Sequence, residues 1–317
     1  MRIVIVGAGA MGSLYAGMLA RAGRDVWLLG RSPAHIAAIR SDGLTMRIPG
    51  RAEAWQAPVR ATTDPSEPGV ADIVVFLTKT YDLEEAARGA KPLFGPETIA
   101  LPLSNGVGTA DAVAAALGTV RTACGVSEVG GDIVAPGVMV MTENVALGTG
   151  YTRFGKVSAD VPAETLRAFA AELEQSGLRA ELVDDILGVV WTKVAMSGTM
   201  SSLSALTRLR MGRIADAPEG WELIETMIGE IDAVTSAAGI SFDREATLRR
   251  ARGVFLSVPN HVPSMAADLR EGRRTENQAL AGAVSREGAR LGVPTPMCDA
   301  IHRMITLVEA NPGASIW

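Results

Sequence analysis

Cysteine and histidine are scarce in this chain, with two Cys and three His among 317 residues. Cys124 and Cys298 stand far apart and without metal-ligand spacing, which argues against a zinc site or a disulfide and leaves both as small buried hydrophobes. His35, His261 and His302 form no cluster, so neither a metal site nor histidine-based catalysis is expected. An excess of positive charge is also missing. Lys and Arg number 30 against 35 Asp and Glu, for a net charge of -5 and a pI near 5.4. That balance gives a nucleic-acid partner no broad electropositive surface. No apolar run approaches the roughly 18 residues a membrane span needs. Met1-Arg2-Ile3 leads straight into a strand-like run with no secretory pattern, so a cytoplasmic protein is expected. Hydrophobic residues at 48% and charged residues at 21% are far from the composition of disorder. Single cores stop growing near about 250–300 residues, so two domains are expected.

What the chain does have is glycine at one telling place. Gly7-Ala8-Gly9-Ala10-Met11-Gly12 lies between the apolar run Ile3-Val4-Ile5-Val6 and an apolar helical pattern that Gly23 closes. This is the arrangement of a dinucleotide-binding βαβ unit. Gly7 permits the tight turn, Gly9 lets backbone approach a pyrophosphate, and Gly12 lets the helix pack closely. The backbone of Ala10 and Met11 opens the helix, whose unpaired N–H groups and dipole favour phosphate. Asp25-Val26-Trp27-Leu28-Leu29 then reads as the second parallel strand. It ends in Gly30-Arg31 rather than in the acid that would accept hydrogen bonds from a ribose 2′-hydroxyl. Arg31 suits a 2′-phosphate instead, so the expected cofactor is NADPH.

Apolar runs at 73–77 and 99–103 continue the alternation of an open parallel sheet, whose ligands meet the carboxyl ends of its strands. Lys79 and Asn105 fall at such ends. For Lys79 a nucleotide contact and a solvated loop lysine are nearly balanced. Asn105, in Ser104-Asn105-Gly106-Val107-Gly108, suits either a turn or a bridge between nicotinamide ribose and substrate. Between Ala123 and Gly148 short β-like runs suggest a mixed sheet finished by antiparallel strands. The fold class expected is therefore an α/β Rossmann-type domain, residues 1–184, followed by an all-α domain, residues 185–317. Helices are expected over 186–200, 218–238, 243–258, 275–291 and 297–309.

Two stretches of the helical part could carry chemistry. Lys193, Ser197 and Ser201 fall at i, i+4 and i+8 among largely apolar neighbours. That lysine either snorkels to solvent or meets an anion or carbonyl oxygen in a cleft. Residues 262–276 are unusually polar, with Ser264-Met265 readable as a turn. Thr275-Glu276 is readable as the start of a helix.

Taken in order, the glycine turn with Arg31, the Ser104–Gly108 loop, Trp191-Thr192-Lys193, Ser264-Met265, Thr275-Glu276 and the closing Leu291-Gly292-Val293-Pro294-Thr295-Pro296 resemble the ketopantoate reductase family along essentially the whole chain. The resemblance implies NADPH-dependent reduction of a 2-oxo acid, ketopantoate to pantoate, as in pantothenate biosynthesis. It implies Lys193 as general acid, Glu276 bonded to the new hydroxyl, Ser264 on the substrate carboxylate and Asn105 on substrate and nicotinamide ribose. It also puts Lys79 on the nucleotide. The family usually has asparagines four and eight residues after the lysine. Here they are Ser197 and Ser201, with less reach and no two-ended amide. An acid commonly found two places after the glutamate is replaced by Gln278. These changes leave room for another 2-oxo acid. Two rival readings stand beside it: an imine reductase, with Lys193 facing a C=N group, and a non-enzymatic NADPH sensor, which would need the glycines and Arg31 but not Lys193 and Glu276, so that retention of both argues against it. Apolar faces between Trp221 and Phe255 offer a surface for a homodimer.

Overall fold

The computed structural model describes residues 1–118, 120–312 and 314. The chain divides into two compact units, the first comprising Met1–Ser104 and Thr109–Ile186, the second Asn105–Gly108 and Leu187–Trp317.

Among the described residues the first unit carries twelve strands in two sheets. They are β1 (Arg2–Val6), β2 (Asp25–Leu29), β3 (Leu44–Arg47), β4 (Ala54–Ala57), β5 (Arg60–Thr62), β6 (Ile73–Phe76), β7 (Ile99–Pro102), β8 (Arg121–Ser127), β9 (Gly131–Ala135), β10 (Val138–Met141), β11 (Tyr151–Lys156) and β12 (Arg179–Leu182). The large sheet has the order β12-β11-β8-β7-β6-β1-β2-β5. Its strands run parallel from β5 to β8, and β11 joins β8 antiparallel. Side chains alternate across a strand. Ile3 and Ile5 of β1 accordingly enter one apolar cluster with Leu14, Tyr15 and Leu19, while Val4 and Val6 enter a second with Leu83, Leu93 and Val113. Both faces are thus covered, as continuous apolar runs in a parallel sheet require. β1 pairs with β2 on one side and β6 on the other. The strand order therefore reverses at β1, and a doubly wound sheet takes its ligand at such a switch point.

The antiparallel finish expected after Ala123 divides between two sheets. β8 and β11 extend the large sheet, but β9 and β10 form a separate four-stranded sheet, order β4-β3-β10-β9. Sequence alternation does not reveal which sheet a strand joins. Tyr15 ties the helix Ala10–Arg21 to the antiparallel strands, its buried hydroxyl donating to Ser127 Oγ at 2.8 Å and lying 2.5 Å from Thr152 Oγ1. Burial raises its pKa above the usual phenol value.

The described secondary structure of the second unit is entirely helical. Its core gathers Trp191, Ile224, Ile228, Ile231, Phe255, Val284, Ile301 and Ile305. Glu230, inside Pro218–Ala237, accepts from the backbone N–H groups of Met297 and Cys298 at 2.7 and 2.8 Å, capping Pro296–Glu309 from another helix.

Three expectations change here. The stretch 186–200 is not one α-helix. An α-helix over Ile186–Lys193 passes into a π turn over Val194–Gly198 and then an α-helix over Thr199–Thr207. The stretch 275–291 is a 3₁₀ turn over Asn277–Ala279 and an α-helix starting only at Ala281. The reason lies in Ala279, whose carbonyl accepts from Val107 N–H at 3.0 Å and so is drawn out of a regular helical ladder. That same bond explains the third change. Asn105–Gly108, expected within 1–184, packs with the helical unit.

Candidate active site

The first unit offers a backbone cradle. Gly7 has φ +115, in the region that favours glycine, and a Cβ there would lie 2.8 Å from the carbonyl carbon of Leu77. A Cβ on Gly12 would stand 1.8 Å from the Gly7 carbonyl oxygen. Around Gly9 there is open space, with nothing within 4 Å of an added Cβ. Gly9 is also the N-cap of Ala10–Arg21, and neither a capping side chain nor a first-turn acid competes for that helix end. These residues fit a dinucleotide: the turn is closed by backbone, open above Gly9, and faced by the first N–H groups of the helix at Ala10 and Met11, which have no partner within an α-helix.

Gly30 approaches the same turn, since its Cβ would lie 2.3 Å from Ala8 Cβ. Arg31 follows it, 70% exposed in its side chain, with Asp82 Oδ2 at 2.6 Å and Glu85 Oε2 at 3.7 Å from its guanidinium. Neither acid was visible from the sequence as a partner, because each lies more than fifty positions from Arg31. Lys79 lies just before the 3₁₀ turn Thr80–Asp82 at the end of β6. Nearby, Ser104 Oγ donates to Thr78 O at 2.8 Å, joining the loops after β6 and β7.

The second unit brings together three of the expected residues. Lys193 Nζ donates to Asn105 Oδ1 at 2.8 Å, and Asn105 Nδ2 donates to Glu276 Oε2 at 2.9 Å. An ammonium only donates and a carboxylate only accepts, so the amide has one productive orientation between them. Gly106 makes the approach possible. Its φ is +101 and a Cβ would lie 2.3 Å from the Ala279 carbonyl oxygen. Lys193 sits where α-helix gives way to π turn, an irregularity that recurs at functional sites. Glu276 is 7% exposed, and Lys193 and Asn105 are half-buried.

The serines differ among themselves. Ser197 Oγ donates to Lys193 O at 2.7 Å, so its hydroxyl is engaged within the helix. Ser201 is buried in Thr199–Thr207. Ser264 is exposed and opens the helix Ser264–Arg270 rather than a simple turn. That helix packs on Thr199–Thr207, with Ser202 Oγ 3.9 Å from Met265 Sδ. Buried Asp268, which sequence reasoning passed over, accepts from Arg273 Nε at 2.9 Å and closes the loop that leads to Glu276. Its signal was an acid in a polar stretch followed five places on by arginine.

Burial pushes the Cys124 thiol up to about 12, and burial with Glu230 alongside raises that of Cys298 further. His35 Nδ1 accepts from Gly137 N–H at 3.0 Å, and its Nε2 lies 3.0 Å from Ser13 Oγ. Among the described residues no group of His, Cys, Asp and Glu could hold a metal, and no helix is long and apolar enough to cross a membrane.

Two family models match, ketopantoate reductase PanE/ApbA over residues 3–158 and its C-terminal counterpart over 185–309. A 2-dehydropantoate 2-reductase of Mesorhizobium japonicum is 32% identical, covering 99% of each chain, and one of Halobacterium salinarum is 30% identical over 98% and 100%. Among solved structures, the PanE/ApbA family ketopantoate reductase of Ralstonia eutropha superposes with a TM-score of 0.85 at 30% identity, covering 98% of this chain and 99% of the other. A D-mandelate dehydrogenase in complex with NADH and anilino(oxo)acetate gives 0.90 at 25% identity, over 99% and 100%. The chain belongs to the ketopantoate reductase family, a family of oxidoreductases.

Proposed function

We propose that this protein reduces a 2-oxo acid to the 2-hydroxy acid, with ketopantoate as substrate and pantoate as product. The carrying observation is the Lys193–Asn105–Glu276 chain, which sets an ammonium, an amide and a carboxylate in hydrogen-bond sequence. The cofactor is NADPH, whose nicotinamide supplies the hydride to the ketone carbon. Gly7, Gly9, Ala10, Met11 and Gly12 hold its pyrophosphate, Lys79 contacts the nucleotide, and Arg31 pairs with the 2′-phosphate. Arg31 must then share its guanidinium between that phosphate and Asp82, which it holds in the free protein.

As hydride reaches the carbon, negative charge develops on the carbonyl oxygen. Lys193 stabilises that charge and donates the proton that completes the hydroxyl, then recovers a proton from solvent. Glu276 accepts a hydrogen bond from the hydroxyl, Asn105 orients the substrate, and Ser264 binds its carboxylate. Ser197 and Ser201 read the rest of the substrate. Replacing Lys193 tests this. Lys193→Ala should lower kcat by about 10²–10⁴-fold, the usual range for general acid catalysis, with NADPH affinity nearly intact. Unchanged turnover would remove Lys193 from the mechanism.

A second reading concerns the acid itself. Ser197 and Ser201 in place of two amides, together with the likeness to a D-mandelate dehydrogenase, support a different and bulkier 2-oxo acid. A cytoplasmic homodimer joined through the helices between Trp221 and Phe255 completes the reading.

A further inference from the structure

We infer that the C-terminal helix, acting through Glu309 and aided by His302 and Thr306, positions Glu276 for the reaction. This rests on the role of Glu276 proposed above. Glu276 lies in no regular α-helix but caps the 3₁₀ turn Asn277–Ala279, whose Ala279 N–H donates to its carbonyl at 2.9 Å. Its two neighbours are held in addition from Pro296–Glu309. Thr275 N–H donates to Glu309 Oε1 at 2.7 Å. Asn277 Nδ2 donates to His302 O at 2.9 Å and lies 3.2 Å from Thr306 Oγ1. Asn277 N–H in turn donates to Thr275 Oγ1 at 3.1 Å, locking the two anchors together. His302, Thr306 and Glu309 are at i, i+4 and i+7, so one helical face grips both sides of Glu276.

Two features make this more than packing. Glu309 is the last residue of its helix, where the macrodipole disfavours a carboxylate. Its bond to Thr275 N–H gives that placement a purpose. Asn277 is 1% exposed and its Oδ1 has no hydrogen-bond partner, an arrangement that an apolar residue would avoid if filling space were its only task. Between these anchors the side chain of Glu276 reaches Asn105 Nδ2. Small misplacements of a positioned group are costly to rate, so the grip should be read in turnover.

The test is a double-mutant cycle on full-length protein with NADPH and ketopantoate, or the best-turned-over 2-oxo acid. Glu309→Ala should lower kcat roughly tenfold, the size of one lost charge-assisted hydrogen bond, with the NADPH dissociation constant within about twofold of wild type. Glu309→Gln keeps an acceptor for Thr275 N–H and should recover most of the rate. In a Glu276→Gln background the Glu309→Ala effect should vanish, because a residue acting through Glu276 has nothing left to position. Thr306→Val, which removes the Oγ1 that Asn277 Nδ2 meets, should give a smaller fall of the same non-additive kind. Equal losses in both backgrounds, or a Glu309→Ala enzyme with unchanged kcat beside a slow Glu276→Gln enzyme, would overturn the inference alone. A Glu276→Gln enzyme as fast as wild type would instead overturn the role of Glu276, and the inference with it.

Discussion

The glycine turn of the first unit and the Lys193–Asn105–Glu276 chain of the second are specified in opposite ways. The turn is made of backbone and of missing Cβ atoms, all within six consecutive residues. The chain is made of side chains drawn from positions 105, 193 and 276, held by two hydrogen bonds. The first kind of site can be spoiled by adding one methyl group. The second depends on the exact tertiary placement of irregular segments, and its members tolerate or fail substitution according to the chemistry they perform.

That contrast can be broken from either side. The largest effect is expected at Gly12, where a methyl group would meet the Gly7 carbonyl oxygen at 1.8 Å. Gly12→Ala should abolish NADPH binding measurable by fluorescence titration, and it should destabilise the fold by about 1–3 kcal/mol through overpacking. Near-normal binding would mean the turn is not the pyrophosphate cradle. Next comes Arg31→Ala, which should raise the NADPH dissociation constant roughly 10–100-fold, the worth of hydrogen bonds to a charged group, while leaving NADH almost unaffected. Equal losses for both nucleotides would remove Arg31 from the 2′-phosphate. Replacing Ser197 and Ser201 together by asparagine should raise kcat/KM for ketopantoate about fivefold, from ~1 kcal/mol of added hydrogen bonding. A fall would show that this helix is fitted to a different acid.

The smallest effect concerns stability. Burial lowers the pKa of His35, His261 and His302 below the usual imidazole value of 6.5. The unfolded chain therefore binds more protons than the folded one just below pH 6.5. The stability these neutral histidines contribute is complete above that pH and is lost as pH falls through it. Urea unfolding between pH 8 and about pH 5 should show this decline, whereas a rise over that interval would contradict the lowered pKa of the three imidazoles.

The same contrast explains what could be read in advance. β1, the glycine turn and β2 were legible because Ile3–Val6, Gly7, Gly9 and Gly12 each answer to local backbone geometry. Asn105 was legible as a candidate from its glycine neighbours. Its membership of the helical unit was not, since that follows from Val107 N–H bonding to Ala279 O, 172 positions away. The π turn after Lys193 escaped for a related reason. Apolar periodicity over 186–200 is satisfied equally by an unbroken helix and by one that widens to a π turn over Val194–Gly198. The partners of Arg31 and of Thr275 were invisible because each is a pairing of polar residues distant in sequence.

The most direct test of the account is NADPH oxidation by the purified protein, followed by absorbance, with ketopantoate and a panel of other 2-oxo acids, with and without amines. The account predicts rapid turnover of ketopantoate or a bulkier 2-oxo acid, without amine and with NADPH favoured over NADH. Tight NADPH binding with no turnover of any 2-oxo acid, or turnover only when an amine is present, would contradict it.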